Sequence, residues 1–403
     1  MADIADLELE RRLKRNRKKS ALTQLCELSY LHAAWEAIGK NPDSFGIDNV
    51  SIGTFRNNLD AELSRIRSEL LAGTYRFQKL RGVAIPKTGT DRIRPIQVPA
   101  VRDRVVAKAI AHLIEADLRR FDHQFSFGYR PGLSRNDAIA AIHKAATSGL
   151  TWVLEADITN FFGKVNNELL FSKLFKVISK PSVKNLLKAA VVNEIGNRDD
   201  IGSKHEGSFP RAGEGIPQGA ILSPMLANFY LSGFDCEMQR RGFAVVRYAD
   251  DFVVMCGSEP RAKQAFVVAK SYMEGQLKLS MHELGAAKTR IVEYQGGFTF
   301  LGYDIRQGKH FPSQASIKKR LDLVDKAFEH PRGKPLLPII IRVSAVLSSW
   351  KEAYKGSEMT EAASRINTHV AACVTNFFRV NDFTRDGRTV THKQLGILGI
   401  PTI

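Results

Sequence analysis

Two adjacent carboxylates set between apolar runs constrain this chain more than any other feature. Ala244-Val245-Val246 leads into Arg247-Tyr248-Ala249-Asp250-Asp251, and Phe252-Val253-Val254-Met255 leads out. Runs this rich in β-branched and aromatic residues read as strands, so Ala249, Asp250 and Asp251 are expected at the tip of a hairpin. Two anions at a tight turn repel each other and call for a positive counterpart, and hard oxygen ligands of this kind suit Mg²⁺ or Mn²⁺. An isolated Asp-Asp pair is more often an ordinary turn than a metal site. Other parts of the chain reverse that balance.

At 403 residues and 44% hydrophobic content, the chain is long enough for two or three subdomains around a sizeable core. Its net charge of +17 makes a polyanion, most often a nucleic acid, the simplest physical partner. Cys26, Cys236, Cys256 and Cys373 form no Cys-x-x-Cys pair, which argues against a zinc module and a disulfide framework and for a reducing cytoplasm. Charged residues such as Glu10, Arg11 and Arg12 stand where a signal peptide needs an apolar core, and no run is long enough to cross a bilayer. The expectation is a cytoplasmic protein with no membrane insertion.

The basic run Arg11 to Lys19 reads as a solvated helix end or as a phosphate-binding arm. Helical spacing follows over residues 22–38 and 55–71. Two edge strands are expected around Val83-Ala84-Ile85-Pro86-Lys87 and Arg92-Ile93-Arg94-Pro95-Ile96, where prolines exclude the centre of a sheet. The next helix, over 101–118, carries His112 on its apolar face, a packed histidine rather than a ligand. Phe125 to Gly132 reads as a loop mixing aromatics with Arg130, a mixture that suits base stacking and phosphate pairing. Trp152-Val153-Leu154-Glu155-Ala156-Asp157 is a strand ending in a carboxylate; Glu155, one pleat back, is not expected to be a ligand. A polar loop over 197–214 is expected to be exposed and mobile. Gly215-Ile216-Pro217-Gln218-Gly219 opens a helix over 222–239, and its glycines let backbone amides approach a ligand. The remainder reads as three apolar helical stripes: Ile317, Leu321, Val324 and Phe328; Val343, Leu347, Trp350 and Tyr354; Ala362, Ile366, Cys373 and Phe377. Lys318, Lys319, Arg320 and Lys326 lie off the first stripe as a basic outer surface.

If the Asp157 strand neighbours the Asp250 hairpin, three carboxylates can hold two cations about 3.5 to 4 Å apart, the spacing that stabilises both oxygens of an in-line phosphoryl displacement. Lys87 and Arg94 would then clamp a triphosphate, and the turn at Gln218 and Gly219 would lie against the incoming nucleotide.

In this order and spacing, Phe127-Gly128-Tyr129-Arg130-Pro131-Gly132, Glu155-Ala156-Asp157, the Gly215 to Pro224 run, Tyr248-Ala249-Asp250-Asp251 and Phe300-Leu301-Gly302-Tyr303 resemble the motifs of reverse transcriptases of the bacterial group II intron-like branch, over roughly residues 40–380. The resemblance implies an α+β right-hand polymerase fold with fingers, an antiparallel palm sheet with packed helices, and a helical thumb. It implies an N-terminal extension and fingers over 1–149, a palm over 150–305 with a fingers-related helical insertion at about 163–214, and a thumb over 306–403. Asp157, Asp250 and Asp251 match the catalytic carboxylates, and the Ile158 backbone matches a further metal contact, for two Mg²⁺ ions with Mn²⁺ as a substitute. Lys87 and Arg94 resemble the triphosphate grip, and Gln218 the nucleotide-pocket residue. Phe162 matches the wall against a sugar 2′-hydroxyl, which selects dNTPs. Lys288 resembles the proton donor to the leaving pyrophosphate, with a solvated surface lysine as the alternative. Phe300, Leu301, Gly302 and Tyr303 resemble the primer grip.

Group II intron maturases continue beyond the thumb, retron enzymes carry extra signatures not found here, and diversity-generating enzymes alter the Pro-Gln-Gly turn that is intact here. With the chain stopping at Ile403, the expectation is a stand-alone enzyme copying an RNA template, a structured non-coding RNA, into a DNA product, with antiphage defence as its setting. Competing expectations are an intron-type maturase, an RNA-directed RNA polymerase and a catalytically inactive RNA-binding scaffold.

Overall fold

The structure, a computed structural model, describes residues 20–39, 41–86, 93–211, 213–286, 288–329, 331–381, 390–401 and 403. Lys87 and the basic run 11–19 lie outside the described residues. Two compact units divide the chain: Met1–Ile142 with Leu154–Ile291, and His143–Val153 with Val292–Ile403.

The first unit takes its elements from α1 Ala21–Leu25, α2 Leu28–Glu36, α3 Ile52–Asn57, α4 Leu59–Leu71, β1 Arg81–Pro86, β2 Ile93–Val98, α5 Val101–Arg119, α6 Arg135–Thr147, β3 Trp152–Ala156, α7 Phe161–Lys164, α8 Asn167–Val177, α9 Lys184–Val191, α10 Ser203–Glu206, α11 Ser223–Arg240, β4 Ala244–Tyr248, β5 Asp251–Cys256, α12 Glu259–Gln276 and β6 Arg290–Glu293, of which α6, β3 and β6 cross its border. Strands β1 and β2 form their own antiparallel ribbon, with Ile85 opposite Arg94, so Pro86 and Pro95 have open edges as expected. The central sheet runs β4-β5-β3-β6.

Phe252 to Cys256 are buried without a break, which identifies β5 as a strand covered on both faces and explains its continuous apolar run. Helices α11 and α12 supply cover: Phe234 meets the Phe252 ring at 5.1 Å, and Ala262, Ala265 and Ala269 line the buried face of α12. Each large apolar side chain so buried contributes about 1.5–3 kcal/mol. Ser258 fixes the start of α12 by accepting from the Arg261 amide, with Pro260 in the first turn.

Three local readings need correction. The helix expected over 22–38 breaks into α1 and α2 at Cys26-Glu27, where Glu27 is extended and Arg67 Nε donates to the Cys26 carbonyl at 3.1 Å, satisfying a group a continuous helix would have used. The helix expected over 55–71 begins earlier and divides at Asn58. The polar 197–214 stretch is not simply a loop. It holds short helical turns, buries Phe209, and is pinned to β1 by Asn197, which accepts from Gly82 N at 2.7 Å and donates to Gly82 O at 3.1 Å. His112 is the packed residue expected, buried edge-on to the Tyr30 ring.

In the second unit, β7 Phe298–Phe300, β8 Tyr303–Arg306 and β9 Lys309–Pro312 form an antiparallel meander, followed by α13 Gln314–Ala327, α14 Leu336–Ala353, α15 Thr360–Val380 and α16 His392–Ile397. Ser313 caps α13 through the Ser316 amide. The three apolar stripes hold, with one exception. Val370 and Val374, not Cys373, join Ile366 and Phe377 in the core of α15, leaving Cys373 half-buried to one side. Arg320 also departs from the outer basic surface: it folds back and donates to Val346 O on α14 at 2.7 Å.

Candidate active site

The site is built at the ends of β3 and β5, within the first unit. Asp157 directly follows β3, and a one-residue antiparallel bridge between Ile158 and Met281 fixes the chain just beyond it. Thr159 N adds a bond to Ser280 O at 2.9 Å. On the other side, Tyr248 pairs with Asp251, so the hairpin turns on two residues, Ala249 and Asp250, and Asp251 is the first residue of β5 rather than part of the tip. Ala249 has φ 60 and Asp250 does not share the positive angle, the pattern of a type II′ turn.

That turn is held from behind by a buried arginine. Arg247, 1% exposed, forks onto Asp235 with Nε at 2.8 Å and Nη2 at 2.5 Å, and its Nη1 donates to Asn228 Oδ1 at 3.1 Å and to the Ala249 carbonyl at 2.7 Å. Asn228 in turn donates to the Gly128 carbonyl at 2.7 Å. Gly128 lies so close to the turn that a Cβ there would stand 2.3 Å from Ala249 N, so no other residue fits without displacing backbone. The Phe127-Gly128 segment thus braces the acidic hairpin. Arg130 is tied into the same loop, its Nη1 donating to the carbonyls of His123 and Ser126 and its Nε lying 3.4 Å from Asp122 Oδ2.

A cleft of about 850 Å³ is lined by Asp157, Ile158, Phe162, Gln218, Asp250, Asp251, Arg94 and Lys288, by Tyr129 of the Phe127 to Gly132 motif, and by residues assigned no role from the sequence, among them Asn160, His205, Ser208 and His282. Gly219 stands beside the cleft: its φ is 106, and a Cβ would approach Ile96 Cγ2 at 3.1 Å, so glycine lets the turn lie flat on β2. Gln97 N donates to the Gln218 carbonyl at 2.8 Å, fastening the same turn. At its other end Ile216 N donates to the Phe162 carbonyl at 2.8 Å, and Gly215 presses against the same carbonyl. The Gly215 to Gly219 turn therefore positions Phe162 as well as Gln218. Tyr129 carries φ 60 in the Phe127 to Gly132 motif, a backbone cue that sequence alone does not display.

The electrostatics are those of crowded anions. Burial in the concave cleft raises the Asp250 carboxyl, with Asp157 adding repulsion. Asp251 keeps an exposed edge, yet the enclosing walls, followed by Asp250 and Asp157, push it up to about 6 against the pull of Lys288 and Arg94. Asp157 Oδ2 accepts from Lys288 Nζ at 2.9 Å and lies 3.5 Å from His282 Nε2. Glu155 is engaged with Arg290, in keeping with its exclusion as a ligand. Among the described residues, no three ligand atoms in the cleft come within 4.8 Å of one another.

Phe300 and Tyr303 face inward in the second unit. Tyr303 is fully buried, donates to Ala353 O at 2.9 Å and packs edge-on against Tyr354 at 4.9 Å. Between them Leu301 and Gly302 form a two-residue turn with φ 52 and 82. The part of this motif offered at the surface is the half-buried Leu301-Gly302 turn, not the two rings.

A family model described as reverse transcriptase (RNA-dependent DNA polymerase) matches residues 85–305. The chain belongs to the reverse transcriptase family, and with it to the right-hand polymerase fold and the RNA-directed DNA polymerases, which use divalent metal ions, an RNA template and dNTPs. It is 31% identical over 296 residues to protein YkfC of Escherichia coli (strain K12), covering 64% of this chain and 74% of that one. It is 24% identical over 327 residues to the group II intron-encoded protein LtrA of Lactococcus lactis subsp. cremoris, covering 65% of this chain and 53% of LtrA, so it spans about half the length of that relative. Among solved structures, a partial Cas6-RT-Cas1–Cas2 complex aligns at 26% identity and a TM-score of 0.38, over 64% of this chain and 43% of that one. Among the described residues, no helix is long and apolar enough to cross a membrane.

Proposed function

We propose that this chain extends a primer with dNTPs on a structured RNA template, using two Mg²⁺ ions, for which Mn²⁺ can substitute. The observation that carries this reading is the convergence of Asp157, Asp250, Asp251, Arg94, Gln218 and Phe162 on one cleft. Asp157, Asp250, Asp251 and the Ile158 carbonyl would hold the ions, which supply Lewis acidity for the primer hydroxyl and offset charge on the triphosphate.

The chain's own groups do the positioning. Arg94 pairs with the triphosphate, and Lys87 is assigned the same role. Gln218, on a turn locked to β2, lies along the nucleotide. The Phe162 ring, held by the backbone clasp at Ile216, stands against the sugar and excludes a 2′-hydroxyl. Lys288, whose ammonium donates to Asp157 Oδ2 at 2.9 Å, carries a proton for the departing pyrophosphate. We assign fingers to residues 1–149, palm to 150–305 with the 163–214 insertion, and thumb to 306–403, with the Leu301-Gly302 turn as primer grip. The setting we assign is the cytoplasm, with a role in antiphage defence. That last assignment rests on family resemblance, and plaque counts on cells carrying active or Asp250→Ala protein test it.

Primer extension on an RNA template with Mg²⁺ and dNTPs tests the central reading. Wild type should extend; Asp250→Ala should lose on the order of a thousandfold or more, since the charge that holds the ions is removed. Undiminished extension by Asp250→Ala overturns the assignment. Phe162→Ala should admit rNTPs while retaining dNTP use, and an unchanged preference would remove Phe162 as the gate.

A further inference from the structure

Away from the catalytic cleft, one cluster in the second unit has the composition of a metal site. His369 and Cys373 are four residues apart on α15, one helical turn, and so project from the same side of that helix. Asp325, near the end of α13, meets both: its Oδ1 lies 2.6 Å from His369 Nε2 and 3.6 Å from Cys373 Sγ. Ligand atoms from these three residues fall within 4.8 Å of one another, and among the described residues they form the one such trio.

We propose that Asp325, His369 and Cys373 form a three-ligand site for Zn²⁺ that ties α13 to α15. The donor set is the first support. Imidazole nitrogen, thiolate sulfur and carboxylate oxygen suit zinc, whereas Mg²⁺ and Ca²⁺ favour oxygen alone. Geometry is the second. Tetrahedral zinc with bonds of about 2.0 Å to oxygen and about 2.3 Å to sulfur separates those two atoms by about 3.5 Å, close to the Asp325–Cys373 distance of 3.6 Å. The nitrogen-to-oxygen separation must open from a hydrogen bond to about 3.3 Å. Asp325 and His369 can provide that by side-chain rotation, because their side chains are 55% and 32% exposed. The same exposure leaves the fourth position to water.

Placement on the helix is the third support. Cys373 was expected in the apolar stripe of α15, but Val370 and Val374 fill that stripe and Cys373 is turned toward Asp325. The spacing, His-x-x-x-Cys plus an aspartate 44 residues upstream of the histidine, matches no contiguous zinc motif, which is why a search for cysteine pairs passes over it. The bland alternative is a surface His–Asp hydrogen bond with a bystander thiol.

Co²⁺ distinguishes the two, because only a thiolate bound to the metal gives a near-ultraviolet charge-transfer band. The full chain is stripped with chelator and titrated with Co²⁺ in excess Mg²⁺, using Asp250→Asn as background so that cleft binding does not contribute. The expected result is one equivalent of Co²⁺ giving the charge-transfer band with the visible bands of tetrahedral coordination, both displaced by Zn²⁺. Cys373→Ser should abolish the charge-transfer band, and His369→Gln or Asp325→Asn should weaken binding tenfold or more. Zn²⁺ should raise the melting temperature of the stripped protein by several degrees, and this shift should vanish in Cys373→Ser. A far-ultraviolet spectrum matching wild type confirms that each variant is folded. Absence of the charge-transfer band in wild type, or its survival in Cys373→Ser, overturns the proposal.

Discussion

Among the hairpins that turn on two residues, two serve different ends: Ala249-Asp250 between β4 and β5, and Leu301-Gly302 between β7 and β8. The second takes positive φ at both positions, a type I′ geometry, and uses glycine for the larger angle. The first differs: of its two turn residues only Ala249 takes a positive angle, which costs a non-glycine residue about 1–2 kcal/mol. The supports differ accordingly. The Gly302 carbonyl accepts from Ser313 N at 2.8 Å and from the Tyr354 hydroxyl at 3.1 Å, neutral bonds at the edge of an aromatic cluster. The Ala249 carbonyl is held by a buried guanidinium whose charge is balanced by Asp235. Where the turn must present anions, its scaffold supplies a cation beneath them.

The sharpest way to break this contrast is Arg247→Met. It leaves Asp235 buried without its partner and should lose about 3–5 kcal/mol in urea unfolding followed by circular dichroism. The double variant Arg247→Met/Asp235→Leu should regain most of that stability while primer extension stays low, because the Ala249 carbonyl still lacks its donor. If the double variant extends primers like wild type, Arg247 is a packing group and not a positioning residue for the turn. No single variant at the Leu301-Gly302 hairpin should approach the first loss.

Next in size is an exchange of glycine and alanine between the turns. Gly302→Ala puts a Cβ at φ 82 and should cost about 1–2 kcal/mol. Ala249→Gly relieves a positive angle while loosening the unfolded chain, and should lie within about 1 kcal/mol of wild type by the same measurement. Equal losses at both positions would show that Arg247 does not hold Ala249 in its strained conformation.

The two hairpins were not equally legible in the sequence. The first was recognisable as a turn from the β-branched and aromatic runs that flank it, and Phe298 to Tyr303 reads as a short hairpin with Gly296-Gly297 before it. That Asp157 could meet the Asp250 hairpin hung on the two strands being neighbours, which the order β4-β5-β3-β6 supplies. Arg247 was hidden. A charged residue in an apolar strand reads as an outward-facing position, and its partners Asp235 and Asn228 lie on α11, where nothing in the helical period marks them as buried and paired. The break at Cys26-Glu27 was hidden for the same reason, since it depends on Arg67 reaching back from another helix. Strand β9 went unread because Lys309-His310-Phe311-Pro312 has neither alternation nor β-branched residues. His205 and His282 were ordinary loop residues until tertiary structure placed them on the cleft. Patterns of period and turn chemistry are local, whereas ion pairs and cleft walls are assembled by contacts between distant segments.

The smallest expected effect concerns acid. Beside the second hairpin, His143 Nε2 lies 3.1 Å from His310 Nδ1, and His143 Nδ1 meets the Tyr294 hydroxyl at 2.5 Å; the His310 ring also packs on Tyr303 at 5.4 Å. Burial lowers both histidines, His310 adds to the effect on His143, and Glu358 opposes it on His310. Their folded values lie below the unfolded value of about 6.5, so the unfolded state binds more protons, and the stability of this cluster is present above that pH and lost as pH falls through it. At the first hairpin the sign reverses: Asp250 and Asp251 are raised, and protonation relieves their repulsion. Hydrogen exchange of the metal-free protein at pH 7.5 and pH 5.5, corrected for intrinsic rates, should therefore show protection falling across β8 and β9 but not across the Ala249-Asp250 turn. Because both histidines are partly solvated, the change should be about 1 kcal/mol or less. The double variant His143→Phe/His310→Phe should remove the acid-induced loss at β8 and β9; a loss that persists in that variant, or appears equally at both hairpins, would mean the response comes from elsewhere in the chain.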